Sequence, residues 1–256
     1  MHHSQSAATC PARGRPALEK PRTAPSCFLL YDRHVEKNGG STVRTLFKRL
    51  EEHGECAYWG YDISRASWQR TLTSLRELAQ GGRFGALPKL CIESHCGAGT
   101  QSLAHLRQLG QLAPQLIARG CVVQRVLRVR EPVSHYASFY MWARAIRENG
   151  VAAATNLTFV EWVRMTPNLQ SSTLLNSHAA TVAKQAPSRR NAADQAVLIA
   201  SEREDDSQRW RRLLDAAETL FDLLVPLDRF EEGLLLLARC SATPWTRTWA
   251  QPAETS

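Results

Sequence analysis

The sequence lacks the features that mark several protein classes. No run of apolar residues approaches the ~18–20 that a membrane-spanning helix needs. The first residues carry no apolar core of the signal-peptide kind, so no address is legible in the chain as written. No CxxC pair exists among the seven cysteines (10, 27, 56, 91, 96, 121 and 240), which leaves zinc-ribbon and thioredoxin-like readings unsupported. There is no internal repeat, and no aromatic-basic stripe or other nucleic-acid motif. Hydrophobic residues at 43% and charged residues at 22% are ordinary globular usage, which excludes collagen-like, coiled-coil and wholly disordered chains.

What is there begins with size and charge. The 256 residues suit one sizeable α/β domain. The formal net charge is +8; Arg13, Arg15, Lys20 and Arg22 against Glu19 place +3 of it in the first 26 residues and leave +5 for the rest. Such an excess suits a polyanionic ligand or acceptor without choosing among nucleotide, sulfated glycan and nucleic acid. Cys27, Cys91 and Cys121 sit in apolar strand-like runs and read as buried small hydrophobes.

Three regions follow from composition and periodicity. Residues 1–26, rich in Pro, Ala, Ser and Arg without periodicity, read as a disordered tail; 27–240 form the domain; 241–256 read as a second tail. Within the domain strands and helices alternate. Cys27–Tyr31 is an apolar strand run, and Val43, Leu46, Phe47 and Leu50 recur at helical spacing behind Ser41 or Thr42 as the cap. A strand at 56–61, a helix at 67–80, a strand at 89–93, a helix at 101–118 and a strand at 121–129 come next. Pro132 opens a helix running to about 147; a helix at 206–219, a strand at 221–226 and a helix at 230–239 close the domain. This order argues for a central, mainly parallel sheet flanked by helices, with ligands at the carboxyl ends of the strands. That rule puts 34–42, 93–100 and 130–138 on one rim.

Two of these rim segments are built for anions. In Lys37-Asn38-Gly39-Gly40-Ser41-Thr42 the glycines let backbone N–H groups approach a ligand, and the helix start adds unpaired donors and a partial positive charge. Lys37 adds a full charge. The loop is not a Walker A motif, which places its Lys after the second Gly. In the second segment Arg130 closes a strand and Ser138 follows eight residues on, so a planar fork and a hydroxyl can face one anionic group.

With these residues in view the chain resembles the sulfotransferase family, in particular the carbohydrate sulfotransferases of the heparan and dermatan uronyl type. The signature Pro-Lys-Thr-Gly-Gly-Thr/Ser-Thr/Ser has its counterpart in 36–42, with Glu36 for Pro and Asn38 for Thr. The signature Arg-Asp/Glu-Pro, with Ser eight residues after the Arg and an aromatic two later, has its counterpart in Arg130-Glu131-Pro132, Ser138 and Tyr140. Asn168-Leu169-Gln170 and Asp228-Arg229-Phe230-Glu231-Glu232 are weaker echoes, so the likeness spans about 28 to 238.

The resemblance implies a three-layer P-loop-NTPase-like fold. It also implies transfer of a sulfuryl group from 3′-phosphoadenosine 5′-phosphosulfate to a hydroxyl on a carbohydrate. Lys37, Asn38, Gly39, Gly40, Ser41 and Thr42 would bind the 5′-phosphosulfate, and Arg130 and Ser138 the 3′-phosphate. No metal is implied. Glu36 is expected to point away from the donor. The family's members are Golgi-lumenal enzymes with a membrane anchor; this chain shows none, which leaves upstream truncation, a cytosolic home or another form of solubility open. Asn156-Leu157-Thr158 is a glycosylation triplet that permits a lumenal location.

Sulfuryl transfer needs a cation at the leaving oxygen and a base at the acceptor hydroxyl. Lys37 fits the first role. His95 leads for the second, Glu93 follows, and His34 ranks lower as a loop support; His135 reads as structural. Two other functions stand beside transfer: a P-loop-like nucleotide kinase, and a non-catalytic glycan-binding relative.

Overall fold

The structure is a computed structural model that describes residues 27–60, 65–80, 89–94, 101–145, 158–165, 169–175 and 206–241. Strand β1, Phe28–Arg33, is buried at all six positions, and its alternate side chains enter two separate cores. Leu29 and Tyr31 pack among Trp68, Leu72, Leu75, Leu106 and Leu109 on one side. Phe28 and Leu30 pack among Val43, Phe47, Leu50 and Leu234 on the other. A strand buried on both faces carries apolar residues almost without interruption, as the run Cys27–Tyr31 does.

The elements that supply those side chains follow β1 in chain order. They are α1 (Gly40–Glu52), β2 (Ala57–Trp59), α2 (Arg65–Ala79), β3 (Lys89–Ser94), α3 (Gln101–Ala118) and β4 (Val122–Val129). Then come α4 (Pro132–Ala145), α5 (Phe159–Met165), α6 (Leu169–Leu175), α7 (Asp206–Leu220), β5 (Leu223–Pro226), a 3-10 turn (Leu227–Arg229) and α8 (Phe230–Ser241). The five strands form one sheet in the order β2-β3-β1-β4-β5, and every pairing in it is parallel. Residues of α2, α3 and α7 fill one core, and residues of α1 and α8 fill the other. The result is the three-layer α/β architecture expected from the alternation of strands and helices.

The boundaries differ at a few ends. The first helix begins at Gly40 rather than behind a Ser41 or Thr42 cap; its cap is Gly39, left-handed at φ 77, with no side-chain capping bond. A residue without Cβ turns the chain there without strain, so the helix starts earlier than a hydroxyl cap would allow. The final helix is preceded by the 3-10 turn and continues to Ser241. Residues 1–26 and 242–256, the residue pairs at 81–82 and 149–150 and the whole of 176–205 lie outside the described residues.

Among the described residues, two disulfides cross-link the sheet. Cys27 and Cys121 stand at the starts of adjacent strands, because the register sets Phe28 beside Val122, and they are joined with Cα atoms 4.5 Å apart. Cys56 and Cys91 are joined across β2 and β3. The cysteines read as small hydrophobes are therefore buried and paired. Hydrophobic packing and cross-linking select the same low-exposure positions, so burial alone does not separate them.

A satellite core lies beside the sheet. Phe139 and Tyr140 of α4, Trp162 of α5 and Leu169 of α6 bury one another, with Phe139 and Trp162 stacked at 5.9 Å. The Tyr136 hydroxyl accepts the Leu169 N–H at 2.9 Å. This cluster fixes α4 and α6 against the rim of the sheet, where the candidate site forms. Tyr140, the aromatic of the second signature, belongs to this packing.

Candidate functional site

Parallel pairing brings the carboxyl ends of β1, β3 and β4 to a single rim. Between β1 and α1 the chain makes a tight loop with two left-handed residues, Lys37 at φ 64 and Gly39 at φ 77. A non-glycine residue in that region is held there by its surroundings. Here the holders are visible. The Lys37 carbonyl accepts from Arg130 Nη1 at 3.1 Å, the Glu36 carbonyl accepts from His135 Nε2–H at 3.0 Å, and the Asn38 carbonyl accepts from Arg128 Nη1 at 2.5 Å. Left-handed residues beside right-handed ones turn consecutive N–H groups to the same side, a concavity suited to anions.

Arg128 is itself anchored. It is buried, and its guanidinium forks onto the Asp32 carboxylate at 3.0 and 2.5 Å. Losing one partner of such a pair strands a buried charge, at a cost of about 3–5 kcal/mol. Gln170 of α6 completes the frame: its Oε1 accepts from Asn38 Nδ2 at 2.7 Å and from the Arg130 N–H at 2.9 Å, while its Nε2 donates to the Arg130 carbonyl at 2.9 Å. Asn38 is wholly buried, with Nδ2 also donating to the Arg128 carbonyl at 2.9 Å.

In front of this frame lies a cleft of about 400 Å³ lined by Lys37, Gly39, Gly40, Ser41, Arg130 and Ser138, together with His34, Glu36, Arg44, Trp142 and Leu227. The two anion-binding segments read from the sequence thus share one cavity. Among the residues expected to touch a ligand, Asn38 stands behind the wall and Thr42 is exposed on α1 outside it. Glu36, expected to point away, contributes to the wall. Lys37 is half-buried there, with its Nζ 5.7 Å from the centre of the Trp142 ring. Burial and the nearby Arg130 charge lower its pKa, and Glu36 opposes them.

The end of β3 carries Glu93, fully buried and held by four hydrogen bonds from three side chains. His34 Nδ1 lies 2.6 Å from Oε1, the Tyr58 hydroxyl donates to Oε2 at 2.5 Å, and Arg44 donates to both oxygens at 2.9 and 3.1 Å. Burial pushes this carboxyl up, but the bonds from His34, Arg44 and Tyr58 outweigh it and hold its pKa at about 2. The same contacts raise the Arg44 pKa, and burial followed by the bond to Glu93 raises that of Tyr58. His34 itself reaches the cleft, and its ring lies against Gly40: a Cβ on Gly40 would stand 1.8 Å from His34 Cε1 and Nε2. His95 lies outside the described residues.

Arg44, Tyr58, Trp142 and the Asp32–Arg128 pair were not singled out by the sequence. Two of them carried a helical signal: Arg44 is four residues after Gly40, and Trp142 four after Ser138, so each shares a face with a residue that was chosen. Among the described residues no group of three or more His, Cys, Asp or Glu side chains is arranged to hold a metal ion. None of the described helices is long and apolar enough to cross a membrane.

No family model matches the chain, and neither a curated protein nor a solved structure matches it.

Proposed function

We propose that the chain transfers a sulfuryl group from 3′-phosphoadenosine 5′-phosphosulfate to a hydroxyl group. The observation that carries this reading is the shared cleft. Lys37 with Gly39–Ser41 and Arg130 with Ser138, the two segments read as anion-binding, line it together, which suits a donor charged at both its 5′ and 3′ ends. The donor supplies an activated sulfate. Lys37 meets the charge that develops on the leaving phosphate oxygen, and the N–H groups at the start of α1 cradle the sulfuryl oxygens. The sheet order and the loop after β1 also fit the P-loop-like variant of the three-layer fold.

The kinase reading is disfavoured by Glu93. A nucleotide kinase needs a strand-end carboxylate for Mg²⁺. Here the carboxylate at the end of β3 is enclosed by Arg44, His34 and Tyr58. A carbohydrate acceptor, with the anionic character of a glycosaminoglycan, suits the basic excess of +5 that the chain carries beyond residue 26. A lumenal location suits the two buried disulfides, since such bonds persist in oxidising compartments.

Calorimetry and a labelled-sulfate assay test the proposal together. Adenosine 3′,5′-bisphosphate is expected to bind without Mg²⁺, and transfer is expected to fall at least about 100-fold in Lys37→Ala and in Arg130→Ala. Mg²⁺-dependent ATP binding in place of bisphosphate binding, or transfer that survives both substitutions, overturns it.

A further inference from the structure

We propose that His34, oriented by Glu93, is the general base that takes the proton of the acceptor hydroxyl. This deepens the sulfotransfer reading and rests on it. The case is geometric. His34 is the first residue after β1, and its main chain is pinned at both ends: its N–H donates to the Ser94 carbonyl at 3.0 Å, and its carbonyl accepts from Arg33 Nη1 at 3.0 Å. Its ring is pinned as well, at Nδ1 by Glu93 and along the Cε1–Nε2 edge by the bare Cα of Gly40. Gly40 opens α1 and belongs to the turn read as the sulfuryl cradle. The imidazole edge thus lies against the loop where the transferred group would sit.

The tautomer follows from the partner. Glu93 is a carboxylate at neutral pH and can only accept, so the hydrogen of a neutral His34 is on Nδ1 and the basic atom is Nε2. Arg44 and Tyr58 take up the other acceptor positions of Glu93 and keep its carboxylate fixed toward the ring. Among the described residues, the charged and titratable groups around His34 are Glu93 from β3 in direct contact, Arg44 from α1 and Tyr58 from β2 on Glu93, and Glu36, Lys37 and Arg130 in the lining of the same cleft. A buried carboxylate beside the imidazole stabilises the imidazolium that forms when the proton arrives.

The step balances. The acceptor oxygen forms a bond to sulfur, and the bond from sulfur to the 5′-phosphate oxygen breaks with its electron pair leaving on adenosine 3′,5′-bisphosphate. The hydroxyl proton moves to His34 Nε2.

The test uses His34→Asn, His34→Gly and Glu93→Gln, each checked by thermal melting and by calorimetric binding of adenosine 3′,5′-bisphosphate. We expect bisphosphate binding within about threefold of the wild type and a turnover loss of about 100-fold or more in both His34 variants. Added imidazoles should restore turnover to His34→Gly, faster as the imidazole becomes more basic, which a purely structural role would not produce. Glu93→Gln should lose turnover with little change in KM. Near-wild-type turnover in either His34 variant, or in Glu93→Gln should the His34 variants not fold, overturns the assignment. So does a binding loss that matches the turnover loss. Failure of the wild type itself to bind the bisphosphate or transfer sulfate sinks the parent reading instead, and this one with it.

Discussion

The side-chain amide of Asn38 donates to the main-chain carbonyl of Arg128 at 2.9 Å, which ties the loop after β1 to the penultimate residue of β4. The same nitrogen donates to Gln170, and Gln170 grips both main-chain polar groups of Arg130. One amide on α6 therefore sets the distance between the loop carrying Lys37 and the strand end carrying Arg130. Gln170→Ala removes three hydrogen bonds and leaves the Arg130 N–H and one Asn38 donor without that partner. A stability loss of about 1–3 kcal/mol is expected from urea unfolding. On the proposed function, adenosine 3′,5′-bisphosphate affinity should fall with it, by tenfold or more by order of magnitude, because the two segments proposed to hold its phosphates lose their fixed spacing. Unchanged affinity in a folded Gln170→Ala protein would show that the spacing is held by something else.

Gly40→Ala tests the close approach of His34. The added methyl would stand 1.8 Å from the imidazole, far inside contact distance, so the ring must leave its place against α1. That movement breaks the 2.6 Å contact with Glu93. The expected outcome is a loss of about 1–3 kcal/mol from overpacking, with a larger fractional loss of turnover than of bisphosphate affinity. Unfolding curves and paired kinetic and calorimetric measurements separate the two effects. A variant as stable and active as the wild type would contradict the geometry.

The layered α/β fold was legible because its strands alternate with helices and several ends carry marked residues, whereas the short helices α5 and α6 were not read as separate elements. Pro132 opens α4 as its fixed φ allows, and the apolar run of β1 reports burial on both faces. The two segments that line the cleft were legible because Lys37–Ser41 and Arg130–Ser138 are each continuous in sequence. What joins them was not. Glu93 meets Arg44 across 49 residues and Tyr58 across 35, and Asp32 meets Arg128 across 96, contacts that exist only once strand order and register are set. The cysteine pairing was hidden for the same reason, since Cys27 faces Cys121 only when β1 lies beside β4 in this register.

Those disulfides make a thermodynamic prediction. The bond between Cys27 and Cys121 closes a loop of 94 residues, so it restricts the unfolded chain strongly. The double variant Cys27→Ala and Cys121→Ala should lose about 2–4 kcal/mol, read as a lower urea midpoint under non-reducing conditions. The wild type in excess dithiothreitol should shift in the same direction. A midpoint indifferent to both treatments would show that the two sulfurs are not joined in the folded protein.

Acid should weaken the fold in two stages. His105 is buried against Trp68, stacked at 4.4 Å, and burial lowers its pKa from 6.5 to about 4. A histidine with a depressed folded pKa takes up its proton first in the unfolded chain, so stability falls as pH drops from about 6.5 to about 4 and then levels off. Glu93 acts lower. Its hydrogen bonds contribute fully above its ordinary value of 4.5 and are lost as pH falls toward about 2. Each contribution is of order 3 kcal/mol at most. His105→Phe keeps an aromatic partner for Trp68 and removes the first titration. Urea midpoints measured from pH 7 to pH 3 should therefore be flat down to about pH 4.5 in His105→Phe and slope from about 6.5 in the wild type. Parallel curves for the two proteins would mean that His105 is not held neutral by its burial.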